Sequence, residues 1–181
     1  CNCHMDGNSR SCALDYQKLI EVMRKLSLVA GDKIMDIYGS DDFAIKTKSD
    51  DSPVTIADEA ADAVISDGLR AAFPDVLLVT EEQSASHLER ADTFLIVDPL
   101  DGTKEFIKRN GEFTVNIALI ENGEVVLGIV YTPVLRELYY GAKGLGSFKI
   151  SEALIFSEDL LTRGQKLPLK KDRSVYTIVA S

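Results

Sequence analysis

The spacing of the apolar residues changes at Pro74, and this change constrains the fold more than any other feature of the chain. Before Pro74, apolar residues recur every three or four positions in two stretches, a pattern typical of amphipathic helices. The first stretch covers residues 13–38, with Asp15 as a possible N-cap and Gly39 as a stop. The second begins at Pro53 and closes at Pro74. The sequence therefore predicts two N-terminal helices.

After Pro74 the apolar residues form short runs or alternate with polar ones, which indicates β-strands. Predicted strands cover residues 76–79, 94–97, 113–119, 125–130, 137–140 and 175–179, and Gly141, Gly144 and Gly146 mark a turn region before Phe148. Asn122-Gly123 is a hairpin turn signal. Residues 40–53 are polar and predict a loop or a short edge hairpin around Phe43. Two helices followed by antiparallel strands favour a layered α+β sandwich, with both helices packed on an antiparallel sheet.

Net charge excludes one broad class of function. The 181 residues include 29 Asp and Glu against 20 Lys and Arg, a formal net charge of −9. Binding a nucleic-acid backbone needs clustered cations, so nucleic acid is not expected as a partner. A small phosphorylated substrate is still compatible with this negative charge if a bound cation lies between the protein and the phosphate. No apolar stretch approaches the roughly 20 residues that a membrane-spanning helix needs.

The cysteines are confined to the first dozen residues, at Cys1, Cys3 and Cys12. An odd, crowded set is not a disulfide framework, and its spacing matches no common zinc module. We interpret residues 1–12 as a leader that is disordered or was added for expression, with zinc binding as the alternative. Residues 13–181 form the α+β portion, and their lack of cysteine is typical of a reducing cytoplasm.

Carboxylates follow two of the predicted strands. Glu81-Glu82 comes after the first, and Asp98-Pro99-Leu100-Asp101 after the second. If these strands are neighbours, Glu81, Asp98 and Asp101 meet at one sheet edge, where they need protonation or a metal to offset their repulsion. Oxygen ligands without His or Cys select Mg²⁺, Mn²⁺ or Ca²⁺. The alternative is a solvated turn, since Asp-Pro-x-Asp-Gly is also good turn chemistry.

Three further residues belong to this pattern. The amides of Gly102 and Thr103 could bind an anion, especially if a helix begins there. Asp58 lies in the first turns of the second predicted helix. It either complements the helix dipole or accepts a hydrogen bond from Thr103, the pair then orienting and deprotonating a catalytic water.

Three segments of the chain, beginning at Pro53, Glu81 and Asp98, together resemble the inositol monophosphatase superfamily of lithium-sensitive, Mg²⁺-dependent phosphatases. The run that follows, residues 104–118, is similar to the bacterial 3′(2′),5′-bisphosphate nucleotidase branch, and the likeness covers most of residues 14–150. The segments that carry it are Pro53-Val54-Thr55-x-Ala57-Asp58, Glu81-Glu82 and Asp98-Pro99-Leu100-Asp101-Gly102-Thr103.

The resemblance implies a role for each matching residue. Glu81, Asp98 and the Leu100 carbonyl would hold a first Mg²⁺, and Asp98 and Asp101 would share a second, with a third ion or Mn²⁺ also compatible. Asp58 and Thr103 would activate the attacking water. The amides of Gly102 and Thr103 would hold the phosphate that is cleaved.

The implied reaction is hydrolysis of 3′-phosphoadenosine 5′-phosphate to AMP and phosphate, in sulfur assimilation. The resemblance implies a cytoplasmic enzyme, with peripheral attachment to the inner face of the inner membrane as an alternative. It is also compatible with a homodimer. An inositol or sugar phosphatase is the same-fold alternative, and a non-catalytic metal-binding fragment is the third. Lys104, Lys108 and Arg109 are either contacts to a second phosphate or an exposed basic turn.

One family motif has no counterpart. The family carries a downstream Trp-Asp whose Asp completes the second metal site, whereas this chain contains no Trp. We therefore expect the family's C-terminal α/β portion to be absent, and this chain to be inactive on its own.

Overall fold

The computed structural model of the chain describes residues 14–40, 53–83, 90–151 and 163–168. Helix α1 spans Tyr16–Tyr38 and helix α2 spans Pro53–Ala72. A short helix, α3, spans Thr103–Lys108. The strands are β1 Leu77–Thr80, β2 Thr93–Asp101, β3 Thr114–Glu121, β4 Glu124–Thr132, β5 Glu137–Ala142, β6 Gly146–Ile150 and β7 Gln165–Lys166.

Both long helices end where the sequence predicts. The Asp15 side chain caps α1 by accepting hydrogen bonds from the amides of Gln17 and Lys18, at 3.0 and 3.1 Å. Gly39 closes the same helix, and its amide donates to Met35. Pro53 is the first residue of α2, the one helical position where a missing N–H costs nothing.

The described strands form one seven-stranded sheet in sequence order, β1 to β7. Five of its six pairings are antiparallel, and β1 pairs parallel to β2. The predicted α+β fold is confirmed, and the parallel pair is the one departure from a purely antiparallel sheet. A parallel pair needs a crossover connection of about a dozen residues, and residues 81–92 separate β1 from β2 along the chain.

Helices α1 and α2 cover one face of the sheet. Strand residues that point to this face are buried, whereas Ile96 and Val130 on the opposite face are 42% and 39% exposed. A hollow of about 360 Å³ runs along the second face and reaches Asp98 and Asn116. Among the described residues no helix is both long and apolar enough to cross a membrane.

Three aromatic rings fix α3 to the end of α1. The rings of Tyr38, Phe106 and Phe113 lie 5.0 to 5.2 Å apart in tilted and edge-to-face pairs. Phe106 and Phe113 are fully buried. Such pairs add about 1 kcal/mol each beyond the burial of their area. The start of α3, which carries Gly102 and Thr103, is therefore held firmly.

The remaining predictions concern residues outside the described ranges. These are the edge hairpin around Phe43, the strand at 175–179, and the leader with Cys1, Cys3 and Cys12.

Candidate metal centre

The candidate site begins at the parallel pair of strands. Thr80 of β1 lies beside Val97 of β2, and the Glu81 amide donates to the Val97 carbonyl at 3.2 Å. Glu81 and Asp98 are therefore the next residues on two adjacent parallel strands. Because parallel strands end at the same edge of a sheet, the two carboxylates share that edge, as the sequence predicted.

Strand β2 extends further than the sequence predicted. Asp98 to Asp101 were expected to follow the strand, yet β2 includes them and Asp101 still pairs with Thr114. Asp98 pairs with Asn116, so three steps along β2 oppose two along β3. The register shift absorbs Pro99, which has no N–H to donate to a regular ladder.

Asp98 is half-buried among other carboxylates. Burial, together with the charges of Glu81 and Asp101, raises the pKa of Asp98 to about 6. A hydrogen bond from the Leu100 amide opposes this shift. Asp98 Oδ1 is buried and has no hydrogen-bond partner among the described residues.

Asp58 lies on α2 opposite the turn that follows β1. It is 9% exposed, and within the described part of the chain its Oδ1 also lacks a hydrogen-bond partner. Burial raises the pKa of Asp58 to about 8, helped by the charge of Glu82 and a hydrogen bond to it, and by the charges of Asp98 and Glu81. Five carboxylates, from α2, from β2 and from the turn after β1, therefore influence one another at this edge.

Thr103 does not reach Asp58 in this structure. It is exposed, and the described residues show no hydrogen bond between the two side chains. Asp58 instead contacts Glu82. Thr103 does begin α3, with Gly102 as N-cap in the left-handed region at φ 100°. The first amides of a helix have no acceptor within it, so those of Thr103 and its neighbours suit an anion.

The residues present fit a hard divalent cation. The donors are all oxygen atoms, and two of them, Asp58 Oδ1 and Asp98 Oδ1, are buried without a hydrogen-bond donor. None of Glu81, Asp98 and Asp101 is ion-paired with a Lys or Arg in the described ranges. Within these ranges, however, no three His, Cys, Asp or Glu side chains are already close enough to form a metal-binding group. A cation would have to draw the carboxylates together against their repulsion.

Two polar residues of the site were not found from the sequence. The Asn116 side chain donates to Asp101 Oδ2 at 2.9 Å and accepts from the Thr114 hydroxyl at 3.0 Å. Gln83 binds α2 next to the Glu81-Glu82 turn. The alternation of residues 113–120 put Asn116 on the open face of the sheet, but only the register places it opposite Asp98.

The basic residues of α3 lie at the surface. Lys104, Lys108 and Arg109 are all exposed. The Arg109 guanidinium stacks over the Tyr38 ring, 4.8 Å from its centroid. This contact gives Arg109 a structural role in holding α3.

Comparison with known proteins relates this geometry to one family. Residues 15–180 match the inositol monophosphatase family. The chain is 52% identical over 132 residues to the 3′(2′),5′-bisphosphate nucleotidase CysQ of Salmonella typhimurium, covering 70% of this chain and 52% of that protein. It is 35% identical over 146 residues to a fructose-1,6-bisphosphatase/inositol-1-monophosphatase of Thermotoga maritima, covering 81% and 54% of the two chains.

A solved structure of a protein from the same family is also similar to this chain. The chain resembles the crystal structure of CysQ from Bacteroides thetaiotaomicron with a TM-score of 0.77 and 38% identity, covering 87% of this chain and 60% of that one. The chain spans about half the length of the curated relatives it matches.

Proposed function

Because the chain belongs to the inositol monophosphatase family, we propose that this protein is a Mg²⁺-dependent phosphatase that removes the 3′-phosphate of 3′-phosphoadenosine 5′-phosphate. The products are AMP and phosphate. The observation that carries the proposal is the group of carboxylates at the β1–β2 edge, with two buried oxygens that lack partners. The 52% identity to a protein named as a bisphosphate nucleotidase supports this choice of substrate.

The proposed metal ligands are residues at this edge of the sheet. Glu81, Asp98 and the Leu100 carbonyl hold a first Mg²⁺, and Asp98 with Asp101 holds a second. Bound Mg²⁺ supplies positive charge that stabilises the transferring phosphoryl group. Burial and the charges of Glu81 and Asp101 raise the pKa of Asp98, and the charge of a bound cation would oppose this shift.

The chain's own residues handle the water and the phosphate. Asp58, in its ionised form, accepts a proton from the attacking water, and the Thr103 hydroxyl orients this water. The amides of Gly102 and Thr103 donate to phosphate oxygens. The water oxygen forms the new bond to phosphorus, the bond to the ribose 3′ oxygen breaks, and that oxygen takes up a proton to become the 3′-hydroxyl of AMP.

A second substrate class is supported by one relative. The Thermotoga maritima protein at 35% identity is named as acting on fructose bisphosphate and inositol monophosphate. We favour the nucleotide because identity reaches 52% to a nucleotidase, against 35% to the Thermotoga maritima protein, and because the Lys104-Glu105-Phe106 run is of the nucleotidase kind. The proposed setting is sulfur assimilation in the cytoplasm, with a homodimer as the proposed assembly.

Phosphate release tests the proposal directly. The substrates are 3′-phosphoadenosine 5′-phosphate, inositol 1-phosphate and fructose 1,6-bisphosphate, each with Mg²⁺ and with or without Li⁺. This chain is compared with a longer form that also carries the family's Trp-Asp motif. We expect the longer form to prefer the nucleotide, Li⁺ to inhibit it, and Asp98→Asn to abolish turnover. Substantial activity in Asp98→Asn would contradict the metal assignment, and preference for inositol phosphate would select the second substrate class.

A further inference from the structure

One face of α2 carries polar residues at a constant four-residue spacing. Asp58, Asp62, Ser66 and Arg70 follow one another at this interval, which places them along one side of the helix. Asp62 and Ser66 are 6% and 1% exposed, far below what is usual for such side chains. This polar stripe faces the turn at residues 80–83.

Gln83 binds three members of the stripe at once. Its side-chain Nε2 donates to Asp62 Oδ2 at 2.7 Å and to the Ser66 hydroxyl at 3.3 Å. Its Oε1 accepts from the Arg70 guanidinium at 2.6 Å. The Ser66 hydroxyl also donates to Asp62 Oδ1 at 3.2 Å. The Gln83 amide group therefore uses both its donor and its acceptor on α2.

The backbone of Gln83 closes the turn that carries the two glutamates. Its amide donates to the Thr80 hydroxyl at 3.1 Å and approaches the Thr80 carbonyl at 3.3 Å. Thr80 is fully buried at the end of β1. Glu81 and Glu82 lie between these two fixed points. Their position relative to Asp58 is thus set by the attachment of Gln83 to the same helix.

We infer that Gln83 is a positioning residue for the metal centre, holding the Glu81-Glu82 turn against the polar stripe of α2. This inference rests on the proposed function, because it needs a metal for Glu81 to bind. Groups that orient metal ligands commonly contribute tenfold or more to affinity. Through Gln83, Asp62 and Ser66 contribute as well, although neither belongs to the ligand set.

Exchanging the side-chain amide of Gln83 and the carboxylate of Asp62 tests the inference. Gln83→Glu removes both Nε2 donors and sets a carboxylate against that of Asp62, so the turn loses its attachment to Asp62 and Ser66 and keeps only the contact with Arg70. Adding Asp62→Asn restores a donor, because the new amide can donate to the new carboxylate while Arg70 still donates to it. The double variant has the wild-type net charge. Gln165→Glu, exposed on β7 at the far edge of the sheet, controls for added negative charge.

The readout is Mn²⁺ binding to the chain, followed by depletion of the free-ion spin-resonance signal, with circular dichroism to confirm folding. We expect Gln83→Glu and Gln83→Ala to raise the Kd by about tenfold or more. The double variant should return close to wild type, and Gln165→Glu should not change the Kd. A role in stability alone would move the melting temperature and leave the Kd of the folded protein unchanged.

Each other outcome overturns the inference. A wild-type Kd in Gln83→Glu shows that the turn needs no attachment, while metal binding and the proposed function stand. Loss of binding in the single variant without recovery in the double variant shows that Asp62 is not the coupled partner. If the wild-type chain itself does not bind Mn²⁺, the metal assignment fails first and the positioning role fails with it.

Discussion

The side chain of Asn116 donates to Asp101 Oδ2 at 2.9 Å, across the junction between β3 and β2. Asn116 pairs with Asp98 in the sheet register, so one amide lies beside two proposed metal ligands. The Thr114 hydroxyl donates to Asn116 Oδ1 at 3.0 Å and fixes which way the amide points. Asp101 is exposed and relies on this contact for its orientation.

Asn116→Ala removes this orienting hydrogen bond and should weaken the binding of Mn²⁺ by about tenfold. The fold should be unaffected, since Asn116 lies on the open face of the sheet. Calorimetric titration of Mn²⁺ measures the effect, with Gln165→Ala as the control for loss of an exposed amide. An unchanged affinity would show that Asp101 orients itself without Asn116.

Stability of the metal-free chain should fall as pH rises. Folding raises the pKa of Asp58 from 3.8 to about 8 and that of Asp98 from 3.8 to about 6. Between pH 3.8 and about pH 8 the folded state therefore holds more protons than the unfolded state. Proton linkage then lowers the free energy of unfolding as pH increases through this window. Melting temperatures in a chelator from pH 4 to pH 8.5 measure the trend.

Asp58→Asn provides the control for this pH dependence. The variant cannot ionise, so it should be more stable than wild type at pH 8, with the difference shrinking toward pH 4. Should wild type and variant show the same pH profile, Asp58 would not be the group responsible.

Gly102→Ala should destabilise the chain more than an alanine at another left-handed glycine. A Cβ at Gly102 would lie 2.8 Å from the Glu112 carbonyl oxygen, while one at Gly123 meets nothing within 4 Å. Both glycines have positive φ, at 100° and 80°. We expect losses of about 3 kcal/mol for Gly102→Ala and about 1 kcal/mol for Gly123→Ala in urea unfolding. Equal losses would mean that the backbone near Glu112 gives way freely.

Ser27→Ala should stabilise the chain. The Ser27 hydroxyl is fully buried on α1 and has no hydrogen-bond partner in the ranges that the structure describes, so removing it saves the cost of its desolvation, about 1 kcal/mol. Ser66→Ala is the matched change, because that hydroxyl is equally buried but bonded to Asp62 and Gln83. It should lose about 1 kcal/mol. Urea unfolding of both variants checks the opposite signs, and destabilisation by Ser27→Ala would reveal a partner for that hydroxyl.

Local patterns in the sequence determined the two long helices and most of the strands. Asp15 and Gly39 bound α1 because capping depends on residues within one turn of the helix end. Period-two alternation located β3, since it depends only on which side chains point to one face. The segments around Asp58, Glu81 and Asp98 also indicated a carboxylate site before any fold was known.

Tertiary structure alone decided how these parts meet. The parallel pairing of β1 with β2, the extension of β2 through Asp101 and the hydrogen bond from Asn116 all depend on register between separate segments. The attachment of Gln83 to Asp62 joins residues 21 positions apart. A local pattern limits which faces are apolar or polar, but not which face a distant segment will bind. The raised pKa values of Asp58 and Asp98 follow from that packing, because burial and neighbouring charge exist only once the chain has folded.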